Sequence, residues 1–104
     1  MPYTLADREA HAVALKAACK SLRREIAKVE SAFHRNRELA TAANDADYIE
    51  LRTEASVLLA QRTELLALED ITIDKRSDAI GALTEAKRAD RRARKARRLR
   101  RAAK

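Results

Sequence analysis

From Leu5 onward, positions suited to a covered face recur every three or four residues without interruption. Leu5, Arg8, Ala12, Leu15, Cys19, Leu22, Ile26, Val29, Phe33, Asn36, Ala40 and Ala43 form one register of alternating three- and four-residue steps. That alternation describes the seam of a coiled coil. It is strongest from Leu15 to Phe33 and weakens toward both ends, where arginine, asparagine and alanine replace larger apolar residues. With neither proline nor glycine inside it, the spacing predicts one helix over about residues 5–43. Thr4 followed by Asp7 resembles a capping box at its start, with Asp in place of the usual Glu or Gln.

Asn44-Asp45-Ala46-Asp47 is the best break in the chain. Asn44 could close the first helix in the left-handed conformation, and Asp45 or Asp47 could cap the next one. A second apolar stripe follows in Tyr48, Leu51, Ala55, Leu58 with Leu59, Leu65 with Leu66, Leu68 or Glu69, and Ile73, continuing through Ile80 and Leu83. It is broader than the first, as suits a helix with more than one neighbour. Reflection about the Asn44–Asp45 turn sets Leu15 opposite Asp74, Leu22 opposite Ala67 and Phe33 opposite Ser56, within a turn either way.

The pattern therefore predicts an all-α fold. Residues 1–85 form a long antiparallel helical hairpin, a coiled coil with helices over about 5–43 and 46–85, and residues 86–104 form a basic helical extension. The expected seam contains Leu15, Cys19, Leu22, Ile26, Val29, Phe33, Leu58, Leu65 and Ile73. Ile71-Thr72-Ile73-Asp74 is a weak helical patch, and Ser77-Asp78 could cap a new helix before Gly81. A third helix folding back at that point is the rival topology. A lone two-helix hairpin covers little apolar surface, so an oligomer is expected. Arg8, Asn36 and Arg62 interrupt the stripes, and polar residues at such places often fix register or oligomeric state. Asn36 is the best candidate for that role.

Composition strengthens the helical reading. The 104 residues include one glycine, one proline and three aromatics, Tyr3, Phe33 and Tyr48, and no tryptophan. Tight turns and hairpin strands have almost no material here, and Ala, Leu, Arg, Lys and Glu favour helix. The single cysteine, Cys19, cannot form an intramolecular disulfide, and its place on the seam suits a buried thiol. No apolar run approaches the roughly 20 residues of a membrane span. No signal-peptide pattern opens the sequence. A cytoplasmic protein is expected, one that could be incorporated into a virion or another large assembly.

Charge is distributed unevenly. Ala86 to Lys104 holds eleven bases and one acid, Asp90, for a net +10, while the other residues hold twelve bases and fifteen acids, net −3. Lys87, Arg88, Arg91, Arg92, Arg94, Lys95, Arg97, Arg98, Arg100 and Arg101 surround a narrow strip made by Ala79, Ala82, Ala86, Ala89, Ala93 and Ala96. Such a block repels itself and is expected to become helical when a polyanion neutralises it. Arginine exceeds lysine eight to three in this segment, and its planar fork matches phosphate oxygens two at a time. No aromatic lies among these arginines, so bases of a single strand have no stacking platform. An alanine strip lacks the Leu, Phe or Trp needed for interfacial membrane binding.

No Ser-His-Asp set, phosphate-cradling glycine loop or acid–base pair can be assembled, so no enzymatic activity is expected. Glu30, His34 and Glu38 share a helix face, with Glu54 across the turn, but they lack the Glu-x-x-His spacing of di-iron bundles. No metal or cofactor is expected. The sequence thus points to a self-associating, non-enzymatic helical protein whose tail contacts the phosphates of DNA or structured RNA. The alternative is a structural or assembly protein whose basic tail docks on an acidic protein surface. That class includes a viral scaffold, a minor virion component, an adaptor or an inhibitor.

Overall fold

The structure is a computed structural model that describes residues 3–103. It is a helical hairpin of α1, Leu5–Thr41, and α2, Asp45–Ala103. The contacts divide the chain into two units, one made of Met1–Ala17 with Ile73–Lys104 and the other of Ala18–Thr72. No helix among the described residues is long and apolar enough to cross a membrane.

Local chemistry accounts for the ends of the helices. At the start of α1 the Thr4 backbone N–H donates to the Asp7 carboxylate and the Asp7 N–H donates to the Thr4 hydroxyl, both at 3.1 Å. This reciprocal pair satisfies two donors that the first helical turn leaves unpaired. The Thr4 N–H, and after it the Thr4 hydroxyl, holds the Asp7 carboxyl below its usual range. At the far end, the Thr41 hydroxyl donates to the Glu38 carbonyl at 2.7 Å, and the Ala42 and Ala43 N–H groups reach back three residues to Leu39 and Ala40. These tightened bonds end α1 before Asn44.

Asn44 acts differently from the sequence expectation. Its side-chain oxygen accepts from the Asp47 N–H at 2.9 Å, and its carbonyl accepts from Tyr48 at 2.8 Å. It is therefore the N-cap of α2, and Asp45 and Asp47 lie inside the helix, where their charge favours the positive end of the dipole. No described residue has a positive φ, so α1 does not close through a left-handed asparagine.

In the Ala18–Thr72 unit the arms run antiparallel, with Asn36 bonded to Glu54, Glu30 to Arg62 and Glu69 to Arg23. Cys19, Ile26 and Asn36 are buried here, and Leu22, Val29, Phe33, Leu58 and Leu65 are half-buried. Asn36 is only 6% exposed and donates to Glu54 at 3.3 Å. In the other unit Glu9 of α1 pairs with Lys87 of α2 at 3.7 Å. Leu5, Arg8, Ala12 and Leu15 are half-buried, as are Arg76, Ala82, Leu83 and Ala86, while Ala79 is buried. The Arg8 guanidinium lies 5.6 Å from the centre of the Tyr3 ring, a cation–π contact that accounts for an arginine on the covered face.

α2 corrects the expected second stripe. Its covered positions are Leu51, Ala55, Leu58, Leu65, Glu69, Thr72, Arg76, Ala79, Leu83, Ala86 and Asp90, again at three- and four-residue steps once Arg62 is included, with Leu66 and Ala82 half-buried beside them. Ile73 is 42% exposed and does not join the seam. It stands one residue, or about 100°, past Thr72, which holds the covered place. Tyr48, Leu59, Leu68 and Ile80 are exposed as well. The phase of α2 is fixed by its contact with α1, and the larger isoleucines fall outside it.

The helix also passes through residues 71–81 without a turn, so the third-helix topology is not adopted. The Thr72 hydroxyl donates to the Leu68 carbonyl at 2.7 Å, using its polar group within the helix. A Cβ at Gly81 would meet nothing within 4 Å, so this glycine serves no close approach.

Three measurements follow from these features. Gly81→Ala should stabilise the protein by about 1 kcal/mol in chemical denaturation, the ordinary helical preference for alanine. Ile26→Ala should destabilise it by about 3 kcal/mol, because the methyl groups leave a covered site. In an NMR titration the Asp7 carboxyl should protonate below an ordinary aspartate, and Thr4→Val should move its midpoint upward. Because the folded-state value is the lower one, the stabilisation from this cap is present above the unfolded value and is lost as pH falls through the folded value.

Candidate nucleic-acid interface

The basic segment is not a separate element. α2 continues through it to Ala103 as regular helix, although a segment of this charge was expected to order on binding. Its sequence supplies strong helix formers and no glycine or proline, so local preference opposes the mutual repulsion of the cations. The Asp90 carboxylate offsets part of that repulsion by pairing with Arg94 at 3.0 Å, one helical turn away.

The alanine strip has two environments. Ala79 is buried and Ala82 and Ala86 are half-buried, so this part of the strip packs on α1. Alanine allows that helix pair to approach closely while contributing little apolar area. Ala89, Ala93 and Ala96 are exposed. Asp90 is the last half-buried residue of α2, and every residue from Arg91 to Ala103 is exposed. Those thirteen residues correspond to about 20 Å of helix.

The ten expected contact residues fall into two groups along this boundary. Lys87 and Arg88, exposed themselves, precede Asp90 and pair with Glu9 at 3.7 Å and Glu85 at 3.5 Å. The others lie on the exposed part. Asp90, Arg94, Arg97, Arg98 and Arg101 line one open concavity of about 630 Å³. The Arg97 Nε donates to the Ala93 carbonyl at 3.4 Å, which fixes its side chain along the helix. Arg91, Arg92, Lys95, Arg98, Arg100 and Arg101 form no ion pair among the described residues. The surface from Arg91 to Ala103 holds eight bases and no acid.

Two contacts of this segment were not anticipated from the sequence. Glu9 ties the start of the basic segment to α1, and Asp90 orients Arg94. The four-residue spacing of Asp90 and Arg94 could have flagged the second pair, whereas Glu9 and Lys87 meet only through the fold.

The other candidates are engaged elsewhere. Glu30 accepts from the Arg62 guanidinium at 3.1 Å, Glu54 from Asn36, and the His34 ring meets Phe33 edge-on with centroids 6.4 Å apart. Cys19 is a buried free thiol. Compared with known proteins, the chain matches no family model, no curated protein and no solved structure.

Proposed function

We propose that this is a non-enzymatic, self-associating coiled-coil protein that binds DNA or structured RNA through the phosphate contacts of residues 91–103. The observation that carries the reading is the run of eight bases without an acid on a fully exposed helical face. A polyanion meeting that face displaces its condensed counterions, and the gain is largely independent of base sequence. A helical segment holds successive guanidinium groups at a fixed rise, so several phosphates are engaged with little further ordering of the backbone. The lack of aromatics in the segment favours duplex or folded RNA over stacked single strands. Lys87 and Arg88 contribute less to such contacts, since each already has a carboxylate partner.

Full-length protein should bind duplexes of unrelated sequence with similar affinity, and log affinity should fall with log salt. Six phosphate contacts would give a slope of roughly −5. Replacing Arg91, Arg98 and Arg101 by Ala should flatten the slope by about three and weaken all sequences alike. Deleting residues 91–104 removes nine bases and leaves the remainder at −2. That variant should keep its helicity and lose nucleic-acid binding. Salt-insensitive binding, or equal binding after the deletion, would overturn the reading. A deletion that leaves nucleic acid without effect but releases a stoichiometric protein partner would establish the assembly alternative.

A further inference from the structure

The bases between Arg91 and Ala103 are not spread evenly around their helix. At about 100° per residue, Arg97, Arg101, Arg94, Arg98, Arg91 and Lys95 follow one another in that order around an arc of about 160°. Only Ala102 shares the arc with them. Ala93, Ala96, Leu99 and Ala103 lie on the opposite side, among Arg92 and Arg100. The guanidinium groups follow this placement, because Arg94, Arg97, Arg98 and Arg101 line the same open concavity. The acid beside them, Asp90, is already paired with Arg94 at 3.0 Å. Every residue of the segment is exposed, so both edges of the arc are open to a ligand.

We infer that the partner is B-form duplex DNA and that residues 91–103 lie in its major groove, with the cationic arc toward the groove floor. The inference rests on the proposed phosphate binding by this segment and names the duplex and the groove that receives it. A convex face of this width is complementary to two walls rather than one. Arg97 and Arg101 on one edge, and Arg91 and Lys95 on the other, meet the two phosphate backbones that border the groove. Arg94 and Arg98 lie between them. A single row of phosphates would be matched by a narrower stripe, leaving Arg97 and Lys95, about 160° apart, on opposite flanks of the helix.

Dimensions separate the available grooves. An α-helix with its side chains is about 10–12 Å across, and the B-form major groove is about 12 Å wide and 8.5 Å deep. The B-form minor groove, about 6 Å wide, does not admit a helix. Duplex RNA offers a deep, narrow major groove and a shallow minor groove whose distinguishing groups are 2′-hydroxyls. Arg91 to Ala103 contains no Ser, Thr, Asn, Gln, Asp or Glu, so no side chain there accepts a hydrogen bond from such a hydroxyl. The segment's length of about 20 Å is little more than half a duplex turn of about 34 Å, so a straight helix follows the groove without leaving it. Contacts to two backbones position the helix and carry no sequence preference of their own.

The test uses full-length protein and fluorescence anisotropy across a salt series. A DNA duplex should bind at least about tenfold more tightly than an RNA duplex of the same sequence and length. Glucosylated 5-hydroxymethylcytosine in place of cytosine fills the major groove without changing the phosphate charge, and should weaken binding by about tenfold or more. Inosine in place of guanine removes an amino group from the minor groove and should leave affinity within about twofold. On the protein side, Arg91→Ala with Arg97→Ala should flatten the salt slope by about two, and Arg92→Ala with Arg100→Ala by less than about one, although each pair removes two charges. Alanine favours helix, so both variants should keep their helicity in circular dichroism. Equal binding of DNA and RNA, indifference to the glucosyl groups, or equal slopes from the two double variants would overturn groove insertion while phosphate binding by residues 91–103 stands. Absence of binding to either duplex, or equal binding after deletion of residues 91–104, would remove the underlying reading and this inference with it.

Discussion

Two helices packed side by side can cover only one stripe of each, and the rest of this protein is arranged around that limit. The side chains along that contact therefore decide the phase, register and polarity of the two arms. Ile26 and Cys19 provide the closest approach to a core, and most of their neighbours on the seam are only half-buried. Apolar burial stabilises in proportion to area removed from water, so a contact this narrow contributes modestly per residue. Helical propensity and capping carry a larger share of stability than in a layered domain. That explains a chain with one glycine and one proline and a reciprocal cap at its first turn.

Polar residues on the seam do a different job from the apolar ones. Asn36 reaches Glu54, Arg62 reaches Glu30, and Glu69 receives Arg23. The half-exposed Arg62–Glu30 pair adds at most about 1 kcal/mol. The greater effect of these contacts is on alternatives, because sliding one arm by a turn would strand Asn36 without Glu54 and separate the arginines from their acids. Alanines and small residues along α2 tolerate many registers, and directional bonds discriminate among them.

The covered face of α1 was legible almost residue by residue, since all twelve positions of its register are buried or half-buried. Its regular spacing coincides with its apolar content, so pattern and packing carry the same information. On α2 they diverge after Glu69. Hydrophobicity favours Ile73 and Ile80, yet continuation of the seven-residue phase favours Thr72, Arg76 and Ala79. The phase prevails because a rigid helix cannot rotate locally to bury one isoleucine without displacing every residue beyond it. Asn44 was located as a break but misread in role, since asparagine suits both a helix end and a helix start. Within the basic segment, composition identified the cations, but it could not reveal that Ala79, Ala82 and Ala86 are occupied by α1 or that the exposed run begins after Asp90.

Continuity of α2 across Asp90 also has a torsional consequence. The covered residues Leu83, Ala86 and Asp90 and the exposed arginines belong to one helix, with no swivel between them. The azimuth of each guanidinium is thereby keyed to the hairpin contact, like teeth cut on a shaft held in a bearing. Inserting a single residue after Asp90 would preserve composition, net charge and helicity, yet turn the whole cationic face by about 100° relative to α1.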